Sequence, residues 1–245
     1  MTNILLTGST RGIGAATHAA LTAVGATVIG HGSRDGPGVI GVDLSAPGGG
    51  DRLWDAALDR AGGRIDVLVN NAGVFEGVAL DGDDADWATA WERSWRINLQ
   101  AAADLSRRAV RHFRRAAADR GDAPAAAVSG RIVNVASRAA FRGDSPDHWH
   151  YAAAKAGMVA MTRTIARAYA ADGVLAFVVA PGFTMTGMAA DYLTSRGGDR
   201  LLADIPLGRV ADAAEVAETI RWLALDAPAS LTGAVLDVNG ASYVR

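Results

Sequence analysis

Short apolar runs alternate along this chain with longer, alanine-rich amphipathic segments, and this alternation restricts the possible folds more than any other feature. Several of the longer segments repeat apolar residues at helical spacing, and one such pattern runs up to Gly25, where a helix is expected to end. The apolar runs have the length and composition of strands buried on both faces, and they lie at residues 4–6, 27–29, 39–42, 65–69, 132–135, 175–179 and 234–238. Repeated strand and helix units predict an α/β fold: a doubly wound parallel sheet of about seven strands with helices on both faces.

The length of 245 residues, half of them hydrophobic, is enough to bury a large core. The stretches rich in glycine and proline are only as long as loops, so we expect one domain over residues 1–245. No apolar stretch approaches the length that spans a bilayer, and the opening residues lack the pattern of a secretory signal. We therefore expect no membrane partner.

The formal net charge of −2 gives the chain no overall attraction to nucleic acid or to anionic membranes. Residues 107–120 are locally basic, but the stretch is typical of the solvent side of a helix, so we expect no nucleic-acid partner. Cysteine is absent, which excludes disulfides, thiolate metal ligands and thiol nucleophiles and is consistent with a reducing, cytoplasmic location. The histidines lack the paired spacing of a metal site, and no metal is expected.

Three glycines, Gly8, Gly12 and Gly14, follow the first predicted strand and open the first predicted helix. Glycines at this place let the backbone turn sharply and come close to a pyrophosphate, whose charge is favoured by the free N–H groups at the start of the helix. The alternative is that they only permit a tight turn between strand and helix. Their position at the first strand and first helix favours a dinucleotide site.

A tyrosine and a lysine, Tyr151 and Lys155, are four residues apart in the run YAAAK. In a helix this spacing places the phenol and the ammonium one turn apart on one face. The pair is then either part of an active site or an ordinary pair of surface residues, and the rest of the sequence has to decide between the two.

Six motifs occur in the order typical of one enzyme family: TGSTRGIG from Thr7, NNAG from Asn70, INLQ with Asn98, NVAS with Ser137, YAAAK from Tyr151 and PGFTMT from Pro181. With them, essentially the whole chain resembles the classical short-chain dehydrogenase/reductase family, in particular its 3-oxoacyl-(acyl-carrier-protein) reductase-like members. The resemblance implies a Rossmann-like fold and an NAD(P)-dependent oxidoreductase that transfers hydride between the nicotinamide and a ketone or secondary alcohol.

The resemblance also implies catalytic roles for Asn98, Ser137, Tyr151 and Lys155. Tyr151 is the expected general acid or base, and Ser137 donates a hydrogen bond to the developing alkoxide, although a serine after a strand also serves as a turn or capping residue. Asn98 is expected to hold a water that relays protons to Lys155; the alternative is an amide that ties down a kink in a helix.

Lys155 is expected to hold the nicotinamide ribose and to lower the pKa of Tyr151. A free tyrosine has a pKa of ~10, and lowering it to ~7 requires ~4 kcal/mol. A positive charge at ~4 Å in an effective dielectric of ~20 supplies ~4 kcal/mol. The Coulomb attraction of one ammonium is therefore sufficient in magnitude.

The expected cofactor contacts extend over the glycine loop, the ends of the second, third and fourth strands, and the segment from Pro181. They are Gly8, Thr10, Arg11, Gly12, Ile13, Gly14, Ser33, Arg34, Asp43, Leu44, Asn71, Ala72, Gly73, Tyr151, Lys155, Pro181, Gly182, Thr184 and Thr186. By resemblance, Asp43 accepts from the adenine amino group, unless it is an ordinary turn residue. The segment from Pro181 to Thr186 contacts the nicotinamide carboxamide, with Thr184 adding a hydroxyl where the family usually has valine or isoleucine.

NADP(H) is expected in preference to NAD(H). An acidic residue at the end of the second strand would bind the adenine ribose and repel a 2′-phosphate, but Gly32 is at that position. Ser33 and Arg34 follow it, and Arg11 lies in the glycine loop; arginine suits a phosphate because it is always charged and binds two oxygens. A strand end shifted towards Asp35 would reverse this prediction.

The substrate is expected to be a small carbonyl compound or alcohol, with 3-oxoacyl thioesters, sugars and cyclic ketones all left open. Candidate pocket residues flank Tyr151 or follow Pro181: Phe141, Arg142, His148, Trp149, His150, Phe183, Met185, Met188 and Tyr192. Each of them can equally be a packing residue or a subunit contact. The alternative function is a catalytically inactive dinucleotide-sensing regulator, and family resemblance further implies a homotetramer built on the helices around Asn98 and Tyr151.

Overall fold

The computed structural model describes residues 1–119, 127–185 and 202–245. In these ranges the strands are β1 (Asn3–Leu6), β2 (Thr27–Gly32), β3 (Val39–Gly41), β4 (Val67–Asn70), β5 (Gly130–Val135), β6 (Val174–Pro181), β7 (Thr184–Met185), β8 (Ala211–Asp212) and β9 (Val235–Val238). The helices are α1 (Gly12–Ala23), α2 (Gly49–Arg60), α3 (Asp84–Trp95), α4 (Ala101–Ala118), α5 (Ala139–Arg142), α6 (Trp149–Tyr169) and α7 (Ala213–Leu225). Short helical turns cover Arg96–Gln100, Ala170–Asp172 and Ala229–Leu231.

Seven strands form one parallel sheet in the order β3-β2-β1-β4-β5-β6-β9, and β7 pairs separately with β8. Each of the seven overlaps one of the apolar runs found in the sequence, because a strand covered on both faces needs apolar side chains at successive positions. The predicted Rossmann-like, doubly wound sheet is confirmed.

Helices cover both faces of the sheet. On one face α2, α4 and α6 pack on the sheet through a cluster that includes Trp54, Phe113 and Ile165. On the other face α1 and α7 pack through Leu21 and Ile220. Trp54 and Phe113 are almost fully buried, and burial of such a side chain contributes about 2–3 kcal/mol.

The strand order reverses between β1 and β4, which are neighbours in the sheet although β2 and β3 separate them along the chain. Loops that leave the carboxyl ends of two such strands diverge to opposite faces and open a crevice, which is where open α/β sheets bind their ligands. Here the crevice lies between the glycine loop after β1 and the NNAG segment that begins at the end of β4.

The connection from β2 to β3 is a six-residue loop, 33–38, and contains no helix. Parallel neighbours usually need a crossover of a dozen or more residues. The short loop suffices here because β3 starts opposite Gly30. The loop therefore has to bring the chain back only from the end of β2, Gly32, to the level of Gly30. The outer end of the predicted nucleotide site is therefore bordered by a short, exposed loop.

Candidate active site

The glycine loop has the tight geometry that the sequence predicts. Gly8 and Gly12 have φ values of +65° and +53°, in the left-handed region that favours glycine. A Cβ on Gly14 would lie 1.8 Å from the Gly8 carbonyl oxygen, so helix α1 can approach the loop only with glycine at this position. The backbone conformation and the close packing thus explain why Gly8 and Gly14 are glycines. The alternative interpretation, that these glycines permit a tight turn, is correct for both.

The start of helix α1 suits an anion. Its first turn contains no acidic residue, and the side chain of its N-cap residue, Arg11, makes no capping hydrogen bond. The N–H groups of a helix's first turn have no partner within the helix and lie at the positive end of its dipole. Thr10, Arg11, Gly12 and Ile13 all retain exposed surface at this edge of the sheet, so the residues present fit the pyrophosphate of a dinucleotide.

The NNAG segment is joined to the glycine loop by hydrogen bonds. The Thr7 hydroxyl accepts from the backbone N–H groups of Asn71 and Ala72, each at 2.9 Å. The Asn71 side chain donates to the carbonyls of Thr7 and Gly8, both at 3.1 Å. The Asn71 amide therefore holds the two loops together, and Ala72 and Gly73 form the wall of the crevice beside it.

Next to this segment, a buried network of polar side chains anchors helix α6. Its first two members, Asn70 and Asn134, open the NNAG and NVAS motifs, and its third, Thr162, was missed by the sequence analysis. Asn70 donates to the Asn134 carboxamide oxygen at 2.8 Å, and Asn134 donates to the Thr162 hydroxyl at 2.7 Å. Thr162 in turn donates to the Met158 carbonyl. Because buried amides require partners, this chain of bonds sets the position of α6 against β4 and β5.

Helix α6 brings Tyr151 and Lys155 together as their spacing predicts. Lys155 is buried, with 3% of its surface exposed, and its Nζ donates to the Val135 carbonyl at 2.8 Å. The same Nζ lies 5.7 Å from the centre of the Tyr151 ring. The ammonium is thus held between the end of β5 and the phenol.

Ser137 completes the group. It lies two residues after the end of β5, and its hydroxyl oxygen accepts from the Ala139 N–H at 3.1 Å. The Ser137 and Tyr151 side chains are also hydrogen-bonded to each other, which lowers the pKa of the phenol. Ser137 therefore caps the backbone at Ala139, as the alternative interpretation predicts, and is also a hydrogen-bond partner of Tyr151.

The pKa values correct the simple Coulomb estimate. Desolvation raises the pKa of Tyr151 to about 12, against the smaller effect of its bond to Ser137. Burial likewise lowers the pKa of Lys155 to about 8. The expectation that one ammonium brings the phenol to a pKa near 7 is wrong for the protein by itself, because loss of water disfavours the charged form of both groups and the estimate left this out.

Asn98 lies in a π-helical turn, Arg96–Gln100, that interrupts the otherwise continuous helices α3 and α4. Its carboxamide accepts from the Val74 N–H at 2.9 Å and donates to the Val74 carbonyl and to the Ser94 hydroxyl. The Asn98 side chain therefore ties the kinked helix to the chain just after NNAG. A Cβ on Gly73 would be 2.9 Å from Asn98 Oδ1 and 3.5 Å from Lys155 Nζ, so the asparagine and the lysine border the same glycine.

Two residues expected to contact the cofactor by side-chain hydrogen bonds are engaged within the chain. One Asp43 oxygen accepts from the Ser45 hydroxyl and N–H, and these bonds hold the pKa of the carboxyl below its usual value. The Thr184 hydroxyl donates to the Gly182 carbonyl at 3.1 Å. Leu44 is buried beside Asp43. Pro181 ends β6 and Gly182 follows it, while Thr186 lies outside the described residues.

The end of strand β2 lies where the sequence predicts it. Strand β2 ends at Gly32, and Ser33 and Arg34 are exposed directly after it. Asp35, the residue that would have reversed the prediction, accepts from the Gly41 N–H at 2.8 Å and so caps the end of the neighbouring strand.

Phe75, which the sequence analysis missed, lies against the Tyr151 ring. Its ring is edge-on to Tyr151 with centroids 4.9 Å apart, and it stacks on His148 at 3.8 Å. Its position just after NNAG, at the carboxyl edge of the central sheet, was the available signal. A partly exposed aromatic pair therefore flanks the phenol.

The other candidate pocket residues separate into groups. Arg142 is bonded to Asp204 and to the Ser242 carbonyl, and Phe141 stacks on Tyr243, so both pack against the C-terminal segment. Three lie closer to the phenol or at its approach: His148 beside Phe75, His150 accepting from the Tyr151 N–H, and half-exposed Trp149. Phe183 and Met185 follow β6, and Met188 and Tyr192 lie outside the described residues.

Neither a metal site nor a membrane span is found in the parts of the chain described. Within residues 1–119, 127–185 and 202–245, no group of three or more histidine, aspartate or glutamate side chains is placed to hold a metal ion. Within the same ranges, no helix is long and apolar enough to cross a membrane.

Comparisons with known proteins agree with this geometry. A family model described as enoyl-(acyl carrier protein) reductase matches residues 8–241. The 3-oxoacyl-(acyl-carrier-protein) reductase FabG of Haemophilus influenzae is 33% identical over 252 residues, which cover 98% of this chain and 97% of the relative. The cis-4-hydroxycyclohexanecarboxylate dehydrogenase of Sinomonas cyclohexanicum is 36% identical over 258 residues, which cover 96% and 94%. The chain belongs to the short-chain dehydrogenase/reductase family and is an oxidoreductase that uses a nicotinamide dinucleotide to interconvert ketone and CH–OH groups.

Proposed function

We propose that this chain is an NADP(H)-dependent ketone reductase in which Tyr151 protonates the substrate oxygen. The observation that carries the proposal is the group formed by Ser137, Tyr151 and Lys155, since these three side chains come from a strand end and one helix and meet beside the crevice where the strand order reverses. A catalytically inactive dinucleotide sensor, the alternative, has no use for this arrangement.

When bound, a nicotinamide dinucleotide would supply or accept the hydride. The side chains of the protein donate the proton and stabilise the charges that result. With a pKa of about 12, the Tyr151 phenol is protonated at neutral pH and ready to donate to a developing alkoxide. Ser137 holds the phenol oxygen and stabilises the same negative charge, and the Lys155 ammonium, mostly protonated at neutral pH with a pKa of about 8, favours the tyrosinate that results. The group therefore suits the reductive direction at neutral pH.

Asn98 is proposed to help return the proton. The π-helical turn opens the backbone next to Gly73, close to the Lys155 ammonium, and the asparagine amide keeps that turn in place. A water held there would connect Lys155 to solvent.

The NADP preference predicts how arginine variants bind the two cofactors. We expect Arg34→Ala to raise the Kd for NADPH about tenfold or more, because a charged hydrogen bond to a phosphate contributes about 1.5–3 kcal/mol, while the Kd for NADH changes little. Nicotinamide fluorescence titration at constant ionic strength measures both. Arg11→Ala is the second variant, and Arg60→Ala, at the far end of α2, is the control. Tighter binding of NADH than of NADPH by the wild type would contradict the preference.

The substrate is proposed to be a ketone or its secondary alcohol. The names of the relatives suggest two compounds to assay first, a 3-oxoacyl thioester and 4-oxocyclohexanecarboxylate, the ketone that corresponds to the substrate of the Sinomonas dehydrogenase. The stacked rings of Phe75 and His148 beside Tyr151 offer an aromatic face to the carbon chain or ring next to either carbonyl. NADPH oxidation with each compound tests the proposal, and an enoyl thioester is the comparison that the family description suggests.

We further propose that residues 1–245 form one domain, that the enzyme is cytoplasmic, which the absence of cysteine supports, and that it is a homotetramer. Ala153 and Ala160 are exposed seven residues apart on α6, a face on which another helix can pack closely. We expect the wild type to sediment with four times the mass of one chain and Ala160→Arg to sediment as a smaller species. Ala171→Arg, beyond the end of α6, is the control, and a monomeric wild type would contradict the prediction.

A further inference from the structure

A histidine that the proposed chemistry does not use lies directly beneath the glycine loop. His31 is on β2 and is 4% exposed. Both nitrogens of its ring meet backbone groups: Nδ1 is 3.1 Å from the Gly8 nitrogen and Nε2 is 2.9 Å from the Val42 carbonyl oxygen. One side chain thus bridges the loop after β1 and the end of β3.

The two partners determine the protonation of the ring. The Gly8 N–H can only donate, so Nδ1 must present its lone pair, and the Val42 carbonyl can only accept, so Nε2 must carry the proton. A neutral imidazole with its proton on Nε2 satisfies both bonds. Burial lowers the pKa of His31, in the same direction. An imidazolium would instead point an N–H at the Gly8 N–H.

These bonds act where the glycine loop is most restricted. Gly8 has a left-handed backbone, its carbonyl accepts from Asn71, and the start of α1 at Gly14 packs against that carbonyl. Ser9, the next residue, donates its N–H and its hydroxyl to the His31 carbonyl at 2.9 and 3.2 Å. His31 therefore holds two consecutive residues of the loop.

The bond from His31 Nε2 to the Val42 carbonyl reaches the adenine side of the proposed dinucleotide site. Val42 directly precedes Asp43 and Leu44, for which the family resemblance implies contacts on the adenine side. A shift of the His31 ring would move the glycine loop and the adenine side of the site relative to each other. The two parts of a dinucleotide site have to be held at a set separation, because binding affinity is lost when the protein must order itself on binding.

We propose that His31 is a positioning residue for dinucleotide binding, which through its neutral ring holds the Gly8 N–H and the Val42 carbonyl in place without touching the cofactor. The proposal rests on the proposed function, since it requires a dinucleotide in the crevice. Its effect is on affinity for the nucleotide and not on the proton transfer at Tyr151.

Two matched variants separate the two bonds. In His31→Asn, the carboxamide oxygen takes the place of Nδ1 and still accepts from Gly8, but the side chain is too short to reach Val42. In His31→Gln, the amide nitrogen takes the place of Nε2 and still donates to Val42, while the Gly8 N–H loses its acceptor. Each variant retains one bond of two, so their folding stabilities are expected to be similar.

The test is fluorescence titration of the full chain with NADPH and with NADH, beside thermal unfolding of each variant. We expect His31→Gln to raise both Kd values about tenfold and His31→Asn to raise them less than threefold. At saturating NADPH the kcat of both variants stays near that of the wild type, and the KM for NADPH follows the Kd. Equal weakening of NADPH and NADH distinguishes His31 from Arg34, which acts on NADPH alone.

A purely structural role would lower the melting temperature and leave the Kd of the folded protein unchanged. Glutamine and asparagine variants with equal Kd values, or a glutamine variant that binds as tightly as the wild type, would overturn the proposal. Failure of the proposed function gives a different result, because the wild type itself would then bind neither dinucleotide.

Discussion

The Tyr151→Phe variant is expected to retain its fold and its nucleotide affinity and to lose turnover by a factor of about 10³ or more. General acid catalysis contributes about 10²–10⁴ to a rate, and the phenylalanine ring keeps the contact with Phe75 while removing the hydroxyl that is proposed to donate the proton. Ketone-dependent oxidation of NADPH measures the rate, and fluorescence titration measures the Kd for NADPH, which should change by less than threefold.

Tyr169→Phe is the matched control, because Tyr169 ends the same helix, far along the chain from the reacting group. It should keep wild-type turnover. Turnover by Tyr151→Phe within tenfold of the wild type would assign the proton donor to another group. Loss of nucleotide binding together with turnover would show that the tyrosine acts in binding rather than in proton transfer.

Replacing Lys155 with methionine is expected to change how stability depends on pH. Burial lowers the pKa of Lys155 from 10.5 to about 8. Below pH 8 the lysine is charged in both the folded and the unfolded states, and the buried charge destabilises the fold by about 3 kcal/mol. Between pH 8 and 10.5 the unfolded chain binds a proton that the folded chain does not, so the stability of the wild type rises with pH. Methionine cannot titrate, and its variant lacks this rise.

Urea unfolding at pH 7 and at pH 9.5 measures the effect. Relative to Lys155→Met, the wild type should gain about 2 kcal/mol of unfolding free energy across this interval. Stopping at pH 9.5 avoids the opposite effect of Tyr151, whose pKa, raised to about 12, makes stability fall between pH 10 and 12. Parallel pH curves for the two proteins would mean that Lys155 is not desolvated.

Lys155 also permits a direct measurement. It is the only lysine among the 24 lysine and arginine residues of the chain, so ¹⁵N-lysine labelling gives one side-chain resonance whose titration reports its pKa. This count was a further sequence signal for the site. Arginine remains charged wherever it is placed, whereas a buried lysine can shift its pKa into the working range of an enzyme.

The strands and the glycine loop were predictable because their signals are local. A strand covered on both faces must be apolar along its length, and a turn with positive φ at Gly8 favours a glycine. The proximity of Tyr151 and Lys155 was likewise predictable, because residues four apart lie one turn apart on the same face of a helix. No helix connects β2 and β3, because the six residues between them are too few for a crossover helix.

The sequence by itself thus determined the seven strands of the parallel sheet, their alternation with helices and the glycine loop after the first strand. Tertiary structure alone decided the energetics and the supporting contacts. The pKa of Tyr151 depends on its desolvation in the folded chain, and Asp35 accepts from the Gly41 N–H, which it reaches only once β3 is formed. His31 joins Gly8 and Val42 from 23 and 11 residues away, contacts that leave no periodic or compositional trace, because they arise only when separate strands become neighbours.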